Sequence, residues 1–441
     1  MNRRTTARTL VATALVAALT TTAVTALATT ASADPPAPPG VTAADEVAYL
    51  AGLTGQRTLS GQQGGANADP GQWVRKVHDI TGVYPAVWNG DFGFSQNDID
   101  HRQTVVDYAE AQWAAGTLPG LMMHACRPDV ATCSFEGGAS PVKGSHLSDS
   151  EWSALLTDGT ALNTDYKHKL DQFVPYFQQL KDAGIPVLFR PLHEMNEGWA
   201  WWGGRPGSSG SAALFRLTHD YLAAKGLDNI VWVWAPKDVQ GGAASAASYY
   251  PGDAYVDVVG LDVWNQKFPS TDWYQALQAI AGSKPMALAE VGSVPQPAQL
   301  ASQPKWVYWN VWMNWLTDPS YNTNASIKAG YYDARTVNQG VSRSPPARHP
   351  RPTPRDRSPA WAAGASTWRA GPPPTGAPSS SGRATAVRSS SGPSGPTARS
   401  ERWASASTSP ARAPRTARSC SCGTATAPAR SSGPKKRTGT C

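Results

Sequence analysis

What most constrains this chain is a series of short apolar runs, most of them closed by a polar residue and separated by stretches of helical periodicity. Thr58-Leu59-Ser60-Gly61-Gln62 is the first. Pro85-Ala86-Val87-Trp88 leads to Asp91, Gly120-Leu121-Met122-Met123 to His124, and Val187-Leu188-Phe189 to His193 and Glu194. Ile230-Val231-Trp232-Val233-Trp234 leads to Pro236, and Val256-Asp257-Val258-Val259-Gly260-Leu261 to Asp262. Pro285-Met286-Ala287-Leu288-Ala289 leads to Glu290, and residues 306–312 form the last run. A helix is expected before the first of them, at 45–53, and others between them, at 102–115, 165–183, 211–225 and 271–281. Continuous apolar runs mark strands buried on both faces. Eight of them interleaved with helices predict an α/β fold, a (β/α)8 TIM barrel over residues 45–340. An open doubly wound sheet alternates similarly but usually carries a Gly-rich phosphate turn after an early strand, and none is present.

The flanks are different material. Arg3, Arg4 and Arg8 precede an Ala/Val/Leu/Thr run, and Ala31-Ser32-Ala33 offers a small-residue cleavage site, so residues 1–33 read as a secretion signal peptide. A Pro-rich joint follows at 34–44. Residues 341–441 hold 17 Lys+Arg against two acids, which leaves 22 basic and 30 acidic groups in residues 1–340, a net of −8. The protein's overall charge of +7 therefore belongs to its tail. The acidic body carries no nucleic-acid footprint, and no later stretch is apolar enough to span a bilayer. An extracellular monomer with no membrane association after export is expected. The tail is Arg/Pro/Ser/Ala-rich and nearly free of aliphatic residues, the composition of a disordered, low-complexity segment. A shifted reading frame through a GC-rich gene would give the same composition, with a linker and a small binding module as the intended product. In an exported protein Cys126 and Cys133, seven residues apart, are expected to form a disulfide. Residues 126–164 read as one large loop.

Chemistry concentrates in residues 186–204, where the buried run 187–189 gives way to Arg190, His193 and Glu194 and then to Trp199, Trp201 and Trp202. Strand carboxyl ends are where barrels place their active sites. Glu194 follows the fourth expected strand and Glu290 the seventh, so the two carboxylates face each other across the barrel. Glycoside hydrolysis needs such a pair, one carboxyl protonating the leaving oxygen while the other attacks or activates water, and a separation of about 5–5.5 Å implies retention. The two surroundings must differ, because the acid needs a raised pKa and the nucleophile must stay ionised. Arg190, His193 and the nearby tryptophans are expected to supply that difference around Glu194. Trp199, Trp201, Trp202, Trp264, Trp309 and Trp312 offer flat faces to sugar rings, while Trp113, Trp152, Trp232 and Trp315 read as packing residues. His193-Glu194 opens like a zinc-protease motif but lacks the second histidine, and neither a Gly-x-Ser-x-Gly elbow nor a phosphate loop occurs. No metal or cofactor is expected.

Arg190-Pro191-Leu192-His193-Glu194-Met195-Asn196, with Trp199 and Trp201-Trp202-Gly203, resembles the signature of glycoside hydrolase family 26, the β-mannanases and their relatives. Ala287-Leu288-Ala289-Glu290-Val291-Gly292 resembles that family's nucleophile strand. The resemblance runs from about residue 45 to residue 340 and implies a retaining endo-β-1,4-mannanase acting on mannan, galactomannan or glucomannan. Mixed-linkage β-glucanases and xylanases of the same family are the alternative, and a non-catalytic polysaccharide-binding barrel is the rival from another class. Glu194 would be the acid/base, Glu290 the nucleophile, and His193 would orient substrate or carboxylate. Trp199 and Trp312 would be stacking platforms, and His124 and Asp262 would line the pocket. Two departures stand out. Trp264 occupies a position where the family usually has tyrosine, which removes a phenol able to hydrogen-bond the nucleophile. Glu197 replaces a small residue after Met-Asn.

Overall fold

The computed structural model describes residues 41–138 and 140–340. The expected signal peptide, the tail and most of the Pro-rich joint lie outside the described residues. Among these residues ten strands form one wholly parallel sheet: β1 Thr58–Leu59, β2 Gly61–Gln63, β3 Val87–Asp91, β4 Leu118–Met123, β5 Val187–Pro191, β6 Ile230–Trp234, β7 Val258–Val263, β8 Met286–Val291, β9 Trp306–Val311 and β10 Thr336–Val337. Pairing runs from β2 through β9 in chain order and closes where β9 meets both β8 and β2. The expected first strand is broken in two. Ser60 donates its N–H to Val337 O and accepts from Val87 N, so the chain swings from β10 to β3 at that residue. Counting β1 and β2 as one stave, the barrel has the eight expected, with β10 added beside β1.

Side chains alternate between two buried clusters. Leu188, Val231, Val233, Val258, Ala287 and Ala289 share one with Leu50 of the helix Ala43–Leu53. Phe189, Trp232, Val259, Leu261, Leu288 and Trp309 belong to the other, which also contains Leu180, Phe215 and Leu277 of the surrounding helices. That two-residue period is the strand's own, and it turns Leu188 and Arg190 to one side and Phe189 to the other.

Two expectations about helices need correction. The stretch 165–183 is two helices, Ala161–Asp171 and Val174–Asp182. Pro175 has no N–H to give to the preceding turn, so the second helix starts afresh with proline in its first turn. The segment 126–164 is no single loop, since it holds the helix Asp149–Leu156 and the start of the helix at 161. Ser148 accepts from the Glu151 N–H while the Glu151 carboxylate accepts from the Ser148 N–H, a reciprocal cap that nucleates this helix.

Candidate active site

The backbone places Glu194. Beyond β5 both Leu192 and Glu194 adopt φ of +52°, left-handed conformations that cost about 1–3 kcal/mol each for residues with a Cβ. Three hydrogen bonds fix the kinked segment: Glu194 N to Ala235 O at 2.8 Å, Trp202 Nε1 to His193 O at 2.9 Å and Trp201 Nε1 to Ala125 O at 2.8 Å. Trp201 and Trp202 are thus buried props, and Trp309 is fully buried in β9 against the edge of Tyr331. None of the three presents a face to a sugar, contrary to expectation. Their indoles pack in the buried layer around the barrel instead.

Glu290 is aimed by a bulge. Leu261 pairs with Leu288 but Asp262 pairs with Glu290, and the register also slips against β9 between Leu288 and Val291. Ala287 and Ala289 share one cluster with Val233 by the strand's own two-residue period, and the extra residue turns Glu290, next in sequence, to that same side, toward Arg190. Arg190 Nη2 donates to Glu290 Oε2 at 2.5 Å, and Arg190 Nη1 donates to Asp262. Trp264 Nε1 donates to Glu290 Oε1 at 2.9 Å. Both oxygens of Glu290 therefore have a fixed donor.

These contacts correct three expectations. Arg190, expected to shape the surroundings of Glu194, serves Glu290, because its side chain crosses from β5 to β7 and β8. Burial works against its charge, but Asp262 and Glu290 more than offset this and hold the guanidinium above the usual arginine range. Asp262 lies within β7 and is fully buried at the guanidinium rather than lining the pocket. The contact thought lost with the missing phenol is present, made by the indole of Trp264. Asp238 sets that indole's place: its Oδ1 accepts from Trp264 N at 2.8 Å and Asn265 N at 3.0 Å. Burial pushes the Asp238 carboxyl up to about 6 against the pull of those N–H groups.

Glu194 sits in different surroundings. Its carboxyl is pushed up to about 7, chiefly by burial, with Glu290 and Glu197 adding to the rise and Lys237 opposing it. Trp199 Nε1 donates to Glu194 Oε2 at 2.6 Å, and Lys237 Nζ lies 3.5 Å from the same oxygen. Glu197 is the nearer partner of that lysine, at 2.8 Å. His193 is buried, and burial followed by Arg190 and His124 holds its imidazole well below its usual range, so it is neutral. Its ring meets His124 edge-on at 4.5 Å, and its Nδ1 has no partner among the described residues. His124 in turn hydrogen-bonds Asp91 Oδ2 through Nδ1 at 2.5 Å.

Aromatic walls surround His124. Trp199 and Trp312, both half-buried, lie 6.1 and 6.5 Å from its ring. Phe135 lies 6.1 Å from His124 and 5.8 Å from Trp199. It stands two residues beyond the Cys126–Cys133 disulfide, which forms as expected with its Cα atoms 5.7 Å apart. Sequence reasoning missed Phe135, Lys237, Asp238 and the Asp91 contact. Asp91 and the turn after β6 were visible as strand ends, but their partners lie 33 and about 40 residues away, beyond any local pattern.

The site thus joins a buried carboxyl that holds its proton near neutrality to a carboxylate with donors on both oxygens, inside an aromatic cleft. That combination suits one group to give a proton while the other meets a developing positive centre.

Comparison with known proteins agrees. Residues 37–341 match glycosyl hydrolase family 26. A mannan endo-1,4-beta-mannosidase of Bacillus subtilis is 27% identical over 326 residues, covering 68% of this chain and 85% of that protein. The structure of GH26A from a Muricauda species is 32% identical with a TM-score of 0.60, covering 66% of this chain and 94% of its own. A beta-mannanase from a symbiotic protist of the termite Reticulitermes speratus, solved with gluco-manno-oligosaccharide, is 25% identical with a TM-score of 0.58 and coverages of 68% and 94%.

Proposed function

The chain belongs to glycosyl hydrolase family 26, and on that premise we propose that it is a secreted endo-acting enzyme that cleaves β-1,4-mannosidic bonds with retention of configuration. The observation that carries the reading is the contrast between its two glutamates: Glu194 buried and holding its proton to about 7, Glu290 gripped by Arg190 and Trp264. In the first step Glu290 attacks the anomeric carbon while Glu194 protonates the departing glycosidic oxygen. A glycosyl ester of Glu290 results. In the second step Glu194, now ionised, takes a proton from water, which attacks the same carbon and releases Glu290. Trp199 serves both binding and chemistry, since its N–H holds the acid and its ring forms part of the cleft wall. Trp312, whose ring lies 6.5 Å from that of His124, offers a second aromatic surface to substrate. The secretion signal read in residues 1–33 supports an extracellular setting, where plant-type polysaccharides are met.

Reducing-end release by the purified full chain, on unbranched mannan with mixed-linkage glucan and xylan in parallel, tests the substrate. Release on mannan is expected. Release on glucan or xylan alone would leave the glutamate pair in place and overturn the sugar assignment.

Replacing Trp264 with phenylalanine keeps a ring in place and removes the donor to Glu290. A hydrogen bond to a charged group contributes about 1.5–3 kcal/mol, so kcat/KM should fall roughly 10- to 100-fold. An unchanged kcat/KM would show that the indole N–H contributes nothing to the nucleophile.

A further inference from the structure

Lys237 has no part in the two steps above, yet it is held at both ends. Its backbone N–H donates to Asn196 Oδ1 and its carbonyl accepts from Asn196 Nδ2, each at 2.8 Å, which ties the turn after β6 to the turn that carries Glu194. Its ammonium pairs with Glu197 at 2.8 Å and reaches Glu194 at 3.5 Å. Glu197 and Lys237 are each about a quarter exposed or less, so solvent screens them only in part. The residue that departs from the family's pattern after Met-Asn is thus the counter-ion of a lysine beside the acid.

We propose that Lys237, clamped by Asn196 and balanced by Glu197, is a positioning residue that sets how tightly Glu194 holds its proton. The inference rests on the acid/base reading of Glu194. The groups around that carboxyl are Lys237 on the turn after β6, Glu197 and Trp199 on the turn after β5, Arg190 on β5, and His193, whose ring packs on Trp199. Glu290 on β8, Asp262 on β7 and the Asp91–His124 pair complete the set. Among the described residues Lys237 is the one cation paired with the acid, while Arg190 is engaged with Asp262 and Glu290. What changes between the two steps is the charge of Glu290. While Glu290 is an anion it opposes ionisation of Glu194. Once Glu290 is esterified that opposition is gone, and Lys237 favours the ionised Glu194 that must take the proton from water.

Lys237 and Glu197 carry opposite charges, so removing them should move Glu194 in opposite directions. With Lys237→Met the ionised form loses its nearby cation, and the carboxyl should titrate about one unit higher. With Glu197→Gln an anion is lost and the ammonium is released toward Glu194, so the carboxyl should titrate lower. Lys237→Arg should restore the wild-type value. The readout is a 13C NMR titration of the glutamate side-chain carboxyls in the full-length protein, with the Glu194 signal assigned by its loss in Glu194→Gln. No substrate is needed. The basic limb of the kcat/KM profile on mannan should follow the same order, rising in Lys237→Met and falling in Glu197→Gln. Shifts of the same sign, or none, in folded variants would overturn the role given to Lys237. Opposed shifts in a protein that hydrolyses no polysaccharide would sink the acid/base reading itself.

Discussion

Glu290→Ala should abolish turnover on every substrate, whatever its leaving group. Glu290 would supply the bond-forming atom in the first step, and among the described residues no other carboxylate is held by both Arg190 and Trp264. Asp262 is its partner in register, but it is fully buried against Arg190. Loss of a nucleophile of this kind costs on the order of 10⁴-fold or more in kcat. The variant should still fold, because Arg190 keeps Asp262 as a partner. Full-length Glu290→Ala with an unchanged thermal transition and wild-type turnover on either polysaccharide or aryl glycoside would remove Glu290 from the mechanism.

Glu194→Ala should divide substrates by their need for a proton. On mannan the departing alkoxide is a poor leaving group, and removing the general acid should cost roughly 10²- to 10⁴-fold. An activated aryl mannoside leaves without that proton, so its first step should survive while the second, which lacks its base, becomes slow. A burst of phenol followed by slow steady turnover is the expected trace. Equal losses on both substrates would show that Glu194 is no acid. In the wild type, activity should decline as pH rises through about 7, because the acid must be protonated to act and its carboxyl loses its proton there.

Both glutamates were legible because each follows a short apolar run, and a polar residue at the end of a buried parallel strand has few structural reasons to be there. Their environments were not. Arg190 is four residues before Glu194 in sequence, which invited its assignment to the acid, but a strand side chain reaches across the barrel and not along the chain. Its partners are 72 and 100 residues away. The bulge that turns Glu290 inward leaves no mark in Ala287-Leu288-Ala289-Glu290, which alternates no differently from its neighbours. Tryptophan posed a separate difficulty. Trp199 and Trp202 are three residues apart and equally aromatic, yet one edges the cleft and the other holds the His193 carbonyl from within the core. By contrast, the helix Asp149–Leu156 could have been found, since Ser148 and Glu151 stand at capping-box spacing ahead of Trp152, Leu155 and Leu156. The split of the first strand and the two-residue β10 are too short to leave a periodic signal.

The loss of the phenol at position 264 was expected to remove a contact, and the structure retains it through a different donor. An indole N–H and a phenol O–H both donate to a carboxylate, although only the phenol can also accept. A donor-only partner cannot take a hydrogen bond from Glu290 and so orients it in one sense alone.

The measurement that goes most directly to the central claim is mass analysis of Glu194→Ala during its burst with an activated aryl mannoside. A covalent adduct of one glycosyl unit of the substrate should accumulate, and peptide mapping should place it on Glu290. Absence of an adduct throughout a confirmed burst, or an adduct on any other residue, would contradict the double displacement assigned to this pair of glutamates.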